Sequence, residues 1–156
     1  MANSIVLTAA PQGRFLEGVV SGTPLPGIAM QVKPGTQPVG GRYTWEPFNQ
    51  GDDGKRYLVA ILLEAYWVGR TSADAYKNGE YCRLYCPIPG DELLVLVADV
   101  GGTADSYAIG DKLIIANGTG KMKALSGTPE SVPFVVMETV PALTGDKLVH
   151  VMYTGY

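Results

Sequence analysis

A Gly-Asp step before a leucine occurs three times in the chain and is the feature most open to a chemical role. The copies are Gly90-Asp91-Glu92-Leu93, Gly110-Asp111-Lys112-Leu113 and Gly145-Asp146-Lys147-Leu148. Such a step could cradle a metal ion or a phosphate, but no copy has the alternating carboxylates and the closing glutamate of a calcium loop. Each copy follows a loop and precedes an apolar run, where glycine can adopt a positive φ and aspartate can bind a nearby backbone N–H. We interpret the steps as entrances to strands, and a shared ligand site is the alternative.

The histidine and the cysteines do not form a recognisable catalytic or metal-binding pattern. His150 is the only histidine, and in "KLVHVMY" it alternates with valines, as expected of an outward strand position; a general-base role is the alternative. Cys82 and Cys86 would stand about 13 Å apart in a strand that rises about 3.3 Å per residue, beyond the reach of a disulfide. With His150 they would leave a closed zinc site one ligand short. We predict that both thiols are reduced and serve packing.

Acidic pairs and a glycine-rich loop complete the set of possible reactive sites. Asp52-Asp53 and Asp91-Glu92 are neighbours in sequence, and neighbours in a strand point to opposite faces. The loop "NGTGKMK" at 117–123 lacks the first glycine and the hydroxyl residue of a phosphate-binding loop, so it predicts a hairpin turn. We therefore expect no enzyme, and no catalytic, cofactor-binding or metal-binding residues.

Short apolar runs separated by glycine and proline predict an all-β fold. The 156 residues include 20 glycines and 11 prolines, and 46% of them are hydrophobic, which supports one core. A helix at 58–68 is the alternative for one stretch, because apolar residues fall there at helical spacing, but its β-branched and aromatic residues favour a strand. The strands that we predict are 14–20, 28–33, 42–46, 57–67, 80–86, 92–99, 112–116, 121–125, 133–138 and 147–153.

The N-terminal segment is predicted to be an extended arm. Its apolar piece "SIVLTA" is separated from the body by Pro11, Gln12 and Gly13, so residues 1–14 can pair with something outside the home core. The candidate contacts with another chain are Ile5, Val6 and Leu7.

Aromatic residues offer a second candidate contact. Tyr43 and Trp45 are two residues apart in a predicted strand, so they share one face and could form a platform for a protein or a sugar. Packing inside or at the rim of a barrel is the alternative reading of the same pair.

Charge and hydropathy limit the partners. The net charge is −3 and no lysine or arginine cluster occurs, which argues against nucleic acid as a partner. The longest apolar run, 57–69, is shorter than a membrane span and contains Glu64, and the N-terminus lacks the basic start of a signal peptide. We expect no membrane partner and synthesis in a cytoplasm.

Three segments resemble one family of phage proteins. "FLEGVVSGTPLPGIAMQV", "DSYAIGDKLIIANGTGKMKAL" and "VVMETVPALTGDKLVHVMYTG" are similar to the opening strand, a Tyr-x-x-Gly-Asp segment and the closing hairpin of the small capsid decoration, or cement, proteins of tailed bacteriophages. The resemblance covers about half of the chain. It implies a small β-barrel or β-tulip domain over residues 15–156, preceded by the arm.

The same resemblance implies a function. The protein would be a homotrimer made in the bacterial host cytoplasm. It would bind the major capsid protein on the outside of the assembled head and stabilise the virion, without catalysis or a cofactor. Three alternatives stay open. The first is a β-sandwich carbohydrate-binding or adhesin module that uses Tyr43, Trp45 or Tyr66 as a stacking platform. The second is another phage head or tail component. The third is a small trimeric enzyme that combines Asp99, Asp105 and His150 from neighbouring chains.

Overall fold

Strands form nearly all of the regular structure, as the sequence predicted. The computed structural model of the protein describes residues 4–8, 11–51, 59–99 and 106–155. Within these ranges the single helix is a 3-10 turn at Tyr66–Val68. The strands are β1 (Arg14–Val20), β2 (Ala29–Val32), β3 (Tyr43–Pro47), β4 (Ala60–Leu62), β5 (Tyr81–Cys86), β6 (Glu92–Val97), β7 (Lys112–Ile115), β8 (Met122–Ala124), β9 (Phe134–Val136) and β10 (Lys147–Tyr153).

The strands close into two successive five-stranded barrels. The first barrel has the order β1-β3-β2-β4-β5, and the second has the order β10-β6-β8-β7-β9. Counted along the chain, the first strand of each barrel runs parallel to the third strand and antiparallel to the fifth. Where one barrel was expected over residues 15–156, the chain forms the same small barrel twice.

The two barrels match residue by residue in their strand pairing. Val20 pairs with Trp45 in the first barrel as Val97 pairs with Met122 in the second, so Val20 and Val97 are equivalent positions. The other strand contacts agree with this alignment. The pair Met30–Ala60 in the first barrel is equivalent to the pair Leu113–Phe134 in the second. In the same way, the pair Leu62–Leu84 is equivalent to the pair Val136–Val151. The fold is therefore an internal structural duplication.

The larger hydrophobic core joins the barrels. It contains the interior of the second barrel together with Ala29, Ile61 and other residues of the first. A smaller cluster, which includes Met30 and Trp45, fills the first barrel. Strand β6 is buried from Leu93 to Val97 on both faces, which explains why its sequence is a continuous apolar run instead of an alternation.

Glycines allow the barrels to approach each other closely. The Ala29 N–H donates to Gly120 O at 2.7 Å, and the Leu96 N–H donates to Gly27 O at 2.9 Å. A Cβ atom on Gly120 would lie 2.1 Å from the Ala29 oxygen. Gly120 belongs to the turn between β7 and β8, which confirms the hairpin predicted at 117–123.

The long strand predicted at 57–67 is wrong beyond Leu62. Strand β4 spans Ala60–Leu62, and Tyr66–Val68 form the 3-10 turn; residues 57 and 58 lie outside the described ranges. The apolar run changes environment in its middle, because Val59 to Leu63 are buried whereas Tyr66 and Val68 are 60% and 57% exposed. The chain therefore leaves the sheet shortly before the exposed part of the run.

Candidate functional site

The first two Gly-Asp steps form the same self-bonded turn. The Asp91 N–H donates to Ile88 O at 3.0 Å, and the Ile88 N–H donates to the Asp91 carboxylate at 3.0 Å. Asp111 and Ala108 repeat the arrangement at 3.1 and 2.8 Å. The intervening glycine has a φ near the left-handed region, +98° in the turn before β6, which only glycine adopts easily.

The third step begins a strand with different contacts. The Asp146 carboxylate accepts the Asp99 N–H at 3.0 Å and the Lys121 ammonium. Partial burial raises the pKa of Asp146, but these two hydrogen bonds outweigh it and hold the pKa below its usual value. The steps precede β6, β7 and β10, and each carboxylate has its own local partners. The interpretation as strand entrances is confirmed.

Asp91 also anchors a buried hydrogen-bond chain. Tyr85, fully buried, donates its hydroxyl to the Asp91 carboxylate at 2.5 Å and accepts the Gly13 N–H at 2.9 Å. Burial, together with the bond to Asp91, raises the pKa of Tyr85 to about 12. The chain ties the start of β1 to β5 and to the turn before β6.

The residues with catalytic or metal-binding potential have structural partners. The imidazole Nε2 of His150 lies 2.8 Å from Glu92 Oε2. The backbone N–H of His150 donates to the Glu138 carboxylate at 2.8 Å. Asp99 instead contacts Asp146, and Asp105 lies outside the described residues. In the described part of the chain no group of three or more histidine, cysteine, aspartate or glutamate residues could hold a metal ion.

The two cysteines are free and buried, as the sequence predicted. Burial raises the pKa of Cys82 to about 12, so its thiol stays protonated and unreactive at neutral pH.

Asp52 and Asp53 lie outside the described residues. The only helix in the described part, three residues long, is far too short to cross a bilayer.

The expected arm packs on its own chain over the residues that the structure describes. Residues 4–8, which we call the strap, lie antiparallel to β6, with Val6 opposite Leu93. Ile5 is fully buried in the larger core, Val6 is half-buried, and Leu7 is 39% exposed. The expectation is therefore corrected for Ile5, whose apolar contacts are satisfied within the molecule, and contact of Val6 and Leu7 with another chain stays a prediction.

The platform of Tyr43 and Trp45 does not form on the surface. Tyr43 is 50% exposed at the start of β3, but Trp45 is only 6% exposed and lies inside the first barrel. Their spacing places them on one face of β3, but only Trp45 packs in the barrel interior. Trp45 therefore serves packing, which was the alternative reading.

A largely exposed aromatic cluster lies elsewhere, and the sequence did not predict that its members come together. The aromatic surface, as we name it, consists of Phe15, Tyr66, Trp67 and Tyr81. The Trp67 ring lies 5.5 Å from Tyr66 and 5.3 Å from Tyr81, edge to face in both cases. Arg83 lies 5.4 Å from the centre of the Phe15 ring and donates to the Tyr66 hydroxyl at 2.6 Å. The 3-10 turn brings these rings together, and no sequence period predicts it.

A cavity of about 290 Å³ opens beside the aromatic surface. Phe15 and Tyr66 supply apolar walls, and Glu64 and Arg83 supply opposite charges; the strap closes another side. Tyr66 and Arg83 are joined by a hydrogen bond, so part of the wall is already fixed. The arrangement can bind a neutral polar group.

Comparisons with known proteins give one informative likeness. No protein-family model matches the chain, and no curated protein matches it by sequence. Among solved structures, the chain is similar to the N-terminal base of the head fiber protein gp8.5 of bacteriophage phi29, with a TM-score of 0.55 and 9% identity. The likeness covers 92% of this chain and 96% of that one, so it includes both barrels.

Proposed function

We propose that the protein is a structural component of a tailed-phage head, and more specifically a decoration protein that binds the outer surface of the assembled shell as a homotrimer. The observation that carries the proposal is the shared fold with a phage head fiber base over 92% of the chain. The sequence resemblance to decoration proteins points to the same class independently. The partner is the major capsid protein, and the site of action is the exterior of the virion.

Binding alone can perform this function. A ligand that binds only the assembled shell stabilises it by RT ln(1 + [L]/Kd), about 2.7 kcal/mol per site at a hundredfold excess over Kd. Three contacts from one trimer add through effective concentration, so each contact can be weak. No catalysis, cofactor, nucleic acid or membrane takes part, and the net charge of −3 suits a surface away from packaged DNA.

The experiment uses heads of the phage that encodes the chain, prepared without this protein. The purified protein is added, the heads are sedimented, and occupancy is measured by gel densitometry while light scattering gives its mass in solution. We expect saturable binding in multiples of three chains per site and a higher temperature of shell disruption. Absence of the protein from sedimented heads refutes the proposal.

A second candidate function is carbohydrate binding at the aromatic surface. Exposed rings next to a cavity that holds one carboxylate and one guanidinium match both the apolar face and the hydroxyl edge of a sugar ring. A glycan array tests it, with Tyr66→Ala as the binding variant and Tyr43→Ala as an exposed-ring control away from the cavity. Signals lost in the first variant and kept in the second favour this function.

A further inference from the structure

The internal duplication identifies two equivalent strand edges, of which one is filled. Counting back from the equivalent residues Val20 and Val97, Leu16 of β1 corresponds to Leu93 of β6. On β6 this position is where the strap pairs, through the bridge between Val6 and Leu93. Strand β1 presents the same backbone in the same barrel position.

The hydrogen bonds of the strap specify which groups of β1 are involved. The Leu94 N–H donates to Ile5 O at 2.8 Å, and the Leu7 N–H donates to Glu92 O at 2.9 Å. The equivalents of Leu94 and Glu92 in the first barrel are the Glu17 N–H and the Phe15 C=O.

The direction of these groups follows from the ladder with β5. The Val20 N–H donates to Glu80 O across that ladder at 2.9 Å. Backbone groups of an antiparallel strand alternate in direction, so Phe15 and Glu17 direct theirs away from β5. On that side β3 begins opposite Gly18. In the described part of the chain, no residue is paired with residues 15–17 there.

The side chains around this edge also lack the cover that the strap gives to β6. Leu93 is fully buried, whereas its equivalent Leu16 is only half-buried, and Phe15 is 46% exposed. A strand edge with free backbone groups and an uncovered leucine is a template for another strand. The chain fills such an edge itself at β6.

We propose that the edge of β1 at residues 15–17 binds an extended segment of a shell subunit, which pairs with it as the strap pairs with β6. This inference rests on the proposed function and specifies its contact. The binding mode is β-augmentation, in which backbone hydrogen bonds give affinity and alternate side chains give specificity. The segment carries an apolar residue opposite Leu16.

Symmetry favours a shell segment over pairing with the same edge of a second copy of this chain. Arg14, Arg42 and Glu17 surround the edge, with Arg42 Nε 3.9 Å from the Glu17 carboxylate, so the local charge is positive in a chain of net charge −3. The segment is therefore expected to contain a carboxylate near Arg14. Antiparallel pairing of two identical β1 edges gives a twofold dimer, not the proposed trimer.

The test uses Glu17→Pro and its matched control Glu17→Ala on the heads described above. Both substitutions remove the glutamate side chain. Proline also removes the backbone N–H that points to the open edge, whereas alanine keeps it. We expect Glu17→Pro to raise the apparent Kd for heads at least about tenfold and Glu17→Ala to change it less than about threefold. Amide exchange of the wild-type protein on heads should slow at residues 15–17.

Each other outcome contradicts the inference in a distinct way. If wild-type protein binds heads and both variants bind equally well, or the amides at 15–17 exchange at the free rate on heads, the edge is not the contact. If Glu17→Pro changes the mass of the free protein in solution, a second copy occupies the edge. If wild-type protein fails to bind heads, the proposed function falls and the inference falls with it.

Discussion

Truncation of Ile5 separates a strap that belongs to the core from an arm that serves another chain. Ile5 is fully buried in the core that joins the two barrels. Isoleucine-to-alanine changes at such positions cost about 2 to 5 kcal/mol, from lost transfer free energy and from the cavity left behind. We place the cost of Ile5→Ala within the lower half of this range, at about 3 kcal/mol.

Leu7→Ala is the matched control on the same segment. Leu7 is 39% exposed, so its truncation should cost only about 1 kcal/mol. Both variants keep the backbone bonds from the strap to β6, so the difference of about 2 kcal/mol measures side-chain burial alone. Urea unfolding followed by tryptophan fluorescence gives both free energies, because Trp45 is buried in the first barrel and Trp67 is partly exposed.

The reasoning fails if Ile5→Ala costs no more than Leu7→Ala at an unchanged slope with urea. That result, combined with weaker binding of Ile5→Ala to heads, would restore the hypothesis that the segment is an arm for a neighbouring chain. A change in slope would show instead that the two barrels unfold separately in the variant.

Three further predictions concern the buried network, a close contact and alkaline pH. Tyr85→Phe should lower the free energy of unfolding by about 1 to 3 kcal/mol, because the Asp91 carboxylate loses a buried donor; equal urea midpoints would contradict this. Gly120→Ala should cost more than Gly118→Ala, since both have positive φ but only a Cβ at 120 meets the Ala29 oxygen; thermal melting compares them. The pKa of Tyr85 rises from 10.0 to about 12 on folding, so its contribution to stability is complete below pH 10 and is lost as the pH rises towards 12. The free energy of unfolding should fall by up to about 1.4 kcal/mol per pH unit in this window, which urea titrations at each pH measure.

Local turn chemistry made much of the fold predictable from the sequence. The predicted bounds of β1 and β10 agree with the structure, and the Gly-Asp steps mark the starts of three strands. These signals depend on a few adjacent residues, so they survive in any tertiary context. The free, buried thiols follow from similar reasoning, because an extended strand keeps Cys82 and Cys86 apart.

The duplication and the strap were not predictable in this way, because both depend on pairing between distant residues. Equivalent positions share their strand pairing but not their identity: Trp45 corresponds to Met122, and Phe15 corresponds to Glu92. The strap sequence "SIVLTA" predicts an extended apolar segment, and its partner is β6, about 85 residues away. A strand pattern states that a segment will pair, and it does not state with which edge.

The way in which the two barrels pack explains why the candidate contacts lie on the first one. Leu94, Leu96 and Leu148 are on the outer face of the second barrel, and they pack against residues of the first. Their equivalents in the first barrel are Glu17, Val19 and Tyr81, beside the aromatic surface and the open edge. The outer face of the second barrel therefore packs against a different surface of the first barrel, not against its own equivalent. Such a contact is heterologous, and it leaves the equivalent face of the first barrel unused. In this chain the unused copy carries a glutamate, a valine and a tyrosine where the used copy carries three leucines, a composition that suits the proposed contact with a partner.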